Sequence, residues 1–216
     1  MIDKNQVENW PSETKGWYAT FVFLFAFIFS LIDRQILNLL VIPIQNDLLL
    51  SDTQISLLQG FAFVITYVLL SVPIGRLVDK FNRINIMISG VITWSITTFA
   101  CGLSKNFYDL LFARMGVGAG EAALSPAAWS VLADYFRPER LSFPISIYLM
   151  GPYLGAGLAM ILGAYVLDFT SGHYEIYLPL IGSLAPWQLT FIIVSLPGII
   201  IAGLLFSVKE PKRKNI

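Results

Sequence analysis

Residues Tyr18–Leu40 read YATFVFLFAFIFSLIDRQILNLL, and this stretch decides the fold class. Its middle, Phe21–Ser30, is continuously apolar, whereas a membrane β-strand would alternate over about ten residues. A hydrocarbon core about 30 Å thick is crossed by roughly 20 helical residues at about 1.5 Å each. The stretch therefore reads as a membrane-spanning helix.

Five further stretches have the same character: Ile55–Ile74, Ile84–Leu103, Phe107–Leu132, Leu141–Leu167 and Trp187–Val208. Composition agrees, with 56% hydrophobic and 13% charged residues and a mean hydropathy of +0.70, an apolar excess that needs lipid. The expectation is an all-α, polytopic membrane protein of six transmembrane helices: a tail over residues 1–16, a bundle over 17–208 and a basic tail over 209–216. Met1–Gly16 lacks the pattern of a secretory signal peptide, so insertion rests on the first helix. Pro73, Pro126, Pro144, Pro152 and Pro197, with the glycines at 116, 118, 120, 151, 155 and 157, fall inside spans. Such residues serve close helix packing or bending during a conformational cycle.

Net charge is zero, from 14 Lys plus Arg and 14 Asp plus Glu, so no global field points to nucleic acid. Their placement is informative. Lys4, Lys15, Arg76, Lys80, Arg83, Arg137, Arg140, Lys209, Lys212, Arg213 and Lys214 fall in the two tails and the second and fourth loops. The other side carries only Lys105. By the positive-inside rule both termini are cytoplasmic, which for an inner-membrane protein gives a multi-pass topology in the cell membrane.

Four charged residues lie within spans: Asp33 and Arg34 in the first helix, Arg114 and Glu121 in the fourth. Each opposes insertion by about 2.5 to 3.5 kcal/mol at a helix centre. Pairing is therefore expected. Arg114 and Glu121 are two turns apart on one face, and their depths overlap that of Asp33 at about 1.5 Å per residue. One reading is static ion pairs joining the first and fourth helices. The other makes Asp33 and Glu121 proton carriers, because burial and a nearby arginine pull a carboxylate's proton affinity in opposite directions. Arg114 then modulates them or anchors an anionic substrate group. Arg34 projects about 100° away from Asp33 around the helix, either snorkelling outward or joining Arg114 in substrate binding.

Other chemistry finds little support. Cys101, the single cysteine, lies in an apolar run and reads as a small hydrophobe, with no disulfide framework and no metal site. His173, the sole histidine, has only Glu175 near it in an outer loop, so no enzyme constellation or cofactor site forms. The apolar piece Ile176–Leu184 is too short to span and reads as an interfacial cover. Trp10, Trp17, Tyr18, Tyr135, Phe136 and Trp187 fall at span boundaries as headgroup anchors.

Four loop and helix segments together carry a resemblance. Gly75-Arg-Leu77-Val-Asp79-Lys80-Phe-Asn82-Arg83 resembles the loop motif between helices two and three of the major facilitator superfamily. Arg114-x-x-x-Gly118-x-Gly120-Glu121, Asp134-Tyr-Phe-Arg137-Pro138-Glu-Arg140 and Glu210-Pro211-Lys-Arg213 are similar to other segments of the same superfamily. Asp33-Arg34, Ser51-Asp52, Trp94-Ser95 and the Gly-Glu pair look most like its spinster-type branch. Asn82 stands where the motif has glycine, and asparagine also tolerates a left-handed turn.

The resemblance implies one six-helix half of a transporter, with Gly75, Asp79, Arg83 and Arg140 as parts of a conformational gate and a substrate cavity against a second half. It also implies proton-linked movement of lysophospholipids or related amphiphiles, with hexuronate-type and other organic-anion carriers sharing parts of the pattern. A local charge network of Asp79, Arg83 and Arg140 is the alternative to gating. The expected partners are the bilayer, a small solute, protons, and a homodimer mate or separate second half. A transport-inactive membrane protein acting only by association is the competing expectation.

Overall fold

The computed structural model describes residues 10–171, 176–178 and 182–214. Lys4, His173 and Glu175 lie outside these residues.

Helices dominate. The first span is α1 (Glu13–Leu39), continued past a kink at Leu40 by α2 (Val41–Leu48). The second joins α3 (Asp52–Ser56), a π-helical turn at Leu57–Phe61 and α4 (Ala62–Lys80). The third is α5 (Arg83–Cys101), and the fourth is α6 (Phe107–Glu121) followed by α7 (Leu124–Tyr135). The fifth is α8 (Ser142–Leu149) with α9 (Gly151–Ser171), and the sixth is α10 (Pro186–Ser195) with α11 (Pro197–Ser207).

Five of these runs are individually long and apolar enough to cross a membrane. The fourth does so only as α6 and α7 together, because the helix breaks at Ala122–Ala123. Proline explains that break and two others: Pro126, Pro152 and Pro197 lack the N–H that would return to the carbonyl four residues earlier. Around Pro197 the freed carbonyl of Ile193 accepts instead from the Leu196 N–H at 3.2 Å. The helices also begin and end beyond the expected hydrophobic limits, since α1 starts at Glu13 and α4 runs to Lys80.

The expected all-α bundle has one small addition. Within the outer loop, β1 (Ile176–Leu178) pairs antiparallel with β2 (Gly182–Leu184), in the register Ile176↔Leu184.

Glycines set the central packing. A methyl on Gly90 would lie 2.6 Å from the Gly120 carbonyl oxygen, and one on Gly120 would lie 2.6 Å from that of Gly90. The backbones of α5 and α6 therefore meet without side chains between them. Gly118, on the opposite flank of α6, lies against the backbone of α4 at Phe63, and Thr66 Oγ1 donates to the Met115 carbonyl at 2.8 Å. This wedging carries Arg114 and Glu121 into the bundle interior.

Burial is uneven. In their most apolar windows the second and fifth spans are each 22% buried, against 56% for the first and 50% for the third. Val68, Leu69 and Val72 on α4, and Tyr153, Met160 and Ile161 on α9, stand exposed. Three of the expected headgroup anchors, Trp187, Tyr135 and Phe136, are buried at the ends of the bundle. Trp187 is 1% exposed and donates its indole N–H to Asp47 at 2.7 Å, and Phe136 is 4% exposed. They are internal struts, because α2 and the N-terminal end of α1 pack over them.

Candidate functional site

The four intramembrane charges meet in one interior cluster between α1, α4, α5 and α6. Glu121 is 2% exposed and receives two donors on one oxygen, Oε2: the Ser30 hydroxyl at 2.7 Å and Arg34 Nη2 in an ion pair. Ser30 and Arg34 are one helical turn apart on α1, so one face of that helix supplies both. Asp33 is also 2% exposed, and its Oδ2 accepts from Thr98 Oγ1 of α5 at 2.6 Å.

Of the two expectations for Arg34, snorkelling outward or joining Arg114 in the site, the structure goes against the first, since Arg34 pairs with Glu121. Its guanidinium is turned onto Glu121 and lies 4.2 Å from the centre of the Phe63 ring and 5.6 Å from that of Tyr67. Its side chain is 34% exposed while that of Glu121 is 1% exposed. Arg34 is thus the member through which the cluster reaches the open side of the bundle.

The expected pairing between the first and fourth helices is made by Arg34 with Glu121, and Arg114 takes no part in it. Arg114 is 1% exposed, and Nε, Nη1 and Nη2 all lack a hydrogen-bond partner. Its closest aromatic neighbour is Phe63, 6.0 Å from the guanidinium carbon. Asp33 Oδ1, Arg34 Nε and Glu121 Oε1 are likewise unpartnered. Buried polar groups are almost always bonded, so this concentration of unused donors and acceptors makes the cluster the candidate site.

Ser30, Thr98, Phe63 and Tyr67 were not anticipated. Ser30 was legible as the residue one turn before Arg34; Thr98 and the two aromatics carry no comparable signal, because their approach depends on helix crossing.

The proposed gate residues separate into three situations. Arg83, 1% exposed, forms ion pairs with Asp134 and, at 2.8 Å, with Glu210. Its Nη1 also donates to the carbonyl and hydroxyl of Ser130, at 3.1 and 3.0 Å, and Nη2 to the Pro211 carbonyl at 3.0 Å. Arg213 donates to the Val78 carbonyl at 2.7 Å, near the C-terminal end of α4. Arg140 is exposed and pairs with Glu13 at 2.7 Å. Asp79 is exposed and has no partner among the described residues, and a methyl on Gly75 would meet nothing within 4 Å. The expected local network of Asp79, Arg83 and Arg140 is therefore replaced: Arg83 joins Asp134 and Glu210, which the folded-back segment after α11 brings to it.

Cys101 is fully buried, and no group of metal-ligating side chains forms among the described residues. A six-span helical bundle with a buried, partly unsatisfied ion cluster defines the class of polytopic membrane proteins that handle ions or polar solutes.

Within that class the chain belongs to the major facilitator superfamily, whose sequence profile matches residues 23–216. It is 29% identical over 195 residues to an MFS-type efflux pump of Mycolicibacterium smegmatis, covering 90% of this chain and 42% of that protein. It is also 29% identical over 158 residues to a sphingosine-1-phosphate transporter of Danio rerio, covering 72% of this chain and 31% of that one. Its fold superposes with a TM-score of 0.86 and 33% identity on a bacterial homologue of the human lysosomal transporter Spinster, in an inward-facing and occupied conformation. That match covers 94% of this chain and 46% of the other. The chain thus spans less than half the length of each.

Proposed function

We propose that the chain is one six-helix half of a proton-coupled secondary transporter for an amphiphilic or anionic organic solute, lysophospholipid-like in character. The observation that carries this reading is the interior cluster. Glu121 is held by Arg34 through one oxygen only, while the other oxygen, Asp33 Oδ1 and the whole Arg114 guanidinium remain open.

A proton reaching Glu121 cancels its attraction for Arg34. Arg34, already partly exposed, then becomes available to an anionic group, with Arg114 as a second cation deeper in the bundle. Loss of the proton restores the pair and expels the anion. Substrate and proton are thereby linked through one arginine, and each biases which state of the bundle is populated. The Phe63 and Tyr67 rings beside Arg34 give an apolar tail a surface next to the charged anchor. The names of the relatives favour a phosphate-bearing amphiphile.

The open faces of α4 and α9 require a cover. In this reading a second six-helix half, or a second copy, packs there and closes the cavity; Asp79 and Gly75 on α4 then face that partner and act with Arg83 and Arg140 in gating. The arginine- and lysine-rich ends support an orientation with both termini in the cytoplasm.

In vesicles reconstituted with the chain and any half that co-purifies with it, Glu121→Gln is expected to abolish pH-gradient-driven uptake of a lysophospholipid probe while leaving membrane insertion intact. Undiminished proton-driven uptake by that variant removes Glu121 from the coupling.

A further inference from the structure

We infer that the cavity between the start of α1 and the connection from α7 to α8 binds the phosphate of an anionic phospholipid headgroup, a site separate from the interior cluster. The cavity measures about 320 Å³ and is lined by Trp10, Glu13, Tyr135, Phe136, Arg137 and Arg140. A water occupies roughly 30 Å³ of liquid volume. The space therefore suits a phosphate with its ester substituent and a few waters.

Its charge is mismatched in one direction. Arg137 is exposed, and its side chain has no hydrogen bond or ion pair among the described residues. Arg140 uses only Nη1, toward Glu13, at 2.7 Å. Lys214 Nζ lies 3.0 Å from the centre of the Trp10 ring at the rim. Two arginines thus share the cavity wall with one carboxylate, and the Lys214 ammonium adds a third cation against the Trp10 ring, outside the lining. Two guanidinium groups at one cavity mouth match the planar, multidentate hydrogen bonding that phosphate oxygens accept.

The cavity lies where headgroups lie. Phe136 forms its inner wall and packs edge-on to Trp17 at 5.4 Å, and Trp17 meets Phe143 at 5.6 Å. This aromatic band ends the apolar part of the first and fifth spans, the level at which amphipathic rings meet lipid headgroups. The Tyr135 hydroxyl is turned away and donates to the Lys209 carbonyl, so it holds the wall and leaves the arginines to bind. Basic pockets between helices on the positively charged side are suited to anionic headgroups; that this side is cytoplasmic rests on the orientation proposed above, but the headgroup chemistry does not.

The test is thermal unfolding of the purified chain in mild detergent, titrated with phosphatidylglycerol, phosphatidylcholine or inorganic phosphate. Binding to the folded state raises its stability with ligand concentration. Phosphatidylglycerol is expected to raise the unfolding temperature saturably, with little effect from the other two at equal concentration. Arg137→Gln, at an exposed and unpaired position, should weaken the apparent affinity about tenfold, and Arg137→Gln with Arg140→Gln should abolish saturation. Arg76→Gln with Lys80→Gln, which removes equal charge from the same membrane face, should leave the titration unchanged. An equal loss in that control, or an unaffected titration in the double variant, overturns the site. A shift reproduced by inorganic phosphate alone overturns the lipid as its source. Should the double variant fail to fold, retention of phosphatidylglycerol by Arg137→Gln in native mass spectrometry decides the matter: undiminished retention refutes the proposal.

Discussion

Two arginines, Arg83 at the membrane face and Arg114 in the bundle interior, are each 1% exposed, and their surroundings differ in every other respect. Arg83 uses Nε, Nη1 and Nη2 on two carboxylates, a hydroxyl and two carbonyls. Arg114 uses none. At the face, chain leaving a helix has free carbonyls, and the segment after α11 folds back to present Glu210 and Pro211 to the guanidinium. In the interior most backbone groups are committed to their own helices. The side chains nearest the charges are shared: Ser30 and Arg34 converge on one oxygen of Glu121, and Thr98 serves Asp33. A completed network holds a structure in place. An incomplete one leaves room for exchange.

The sharpest way to break this comparison is to remove both arginines in parallel. Arg83→Met leaves Asp134 and Glu210 without their cation and is expected to destabilise the chain by about 3 to 5 kcal/mol, the scale of a broken buried pair. Arg114→Met removes a buried guanidinium that makes no hydrogen bond, so only its charge on the nearby Asp33 carboxylate is lost, and it is expected to cost less than about half of what Arg83→Met costs. Denaturation in detergent measures both. Equal losses would show that Arg114 is held as firmly as Arg83.

A smaller effect sharpens the interior half of the contrast. Thr98→Val keeps the shape of α5 but removes the donor to Asp33, and should cost about 1 to 2 kcal/mol near neutral pH. If unfolding shows no change, the Asp33 carboxylate finds another donor, and the interior cluster is more adaptable than Arg83's network.

The smallest effect belongs to the exposed pair. Glu13→Gln separates Glu13 from Arg140 at the rim of the bundle, where both side chains are largely in solvent, and should change stability by less than about 1 kcal/mol. A loss as large as that of Arg83→Met would mean that exposure does not separate the two kinds of ion pair here.

Much of the architecture was legible locally. Each span announces itself through some twenty apolar residues, because the hydrocarbon core dictates length and composition independently of neighbouring helices. The segregation of Arg76, Arg83, Arg137, Arg140 and the C-terminal lysines onto one face also follows from loop composition, and the contacts Arg83–Glu210 and Arg140–Glu13 join those segments in the fold. The break of α6 from α7 was less legible. Pro126 marks it, but Pro73 sits inside α4 without ending it, so proline alone does not reveal where a membrane helix parts.

Partner choice was beyond the reach of spacing. A spacing of seven puts Arg114 and Glu121 on one helix face, yet it is Arg34 of α1 that pairs with Glu121. Gly118 and Gly120 draw α6 between α4 and α5, and α1 passes close enough to deliver Ser30 and Arg34 together. The sequence by itself determined how many helices cross, which loops share a face and which four charges must be hidden, since length, hydropathy and charge are properties of short segments. Only the tertiary structure decided which arginine holds Glu121 and which is left open, because that depends on the crossing of helices nearly ninety residues apart in the chain.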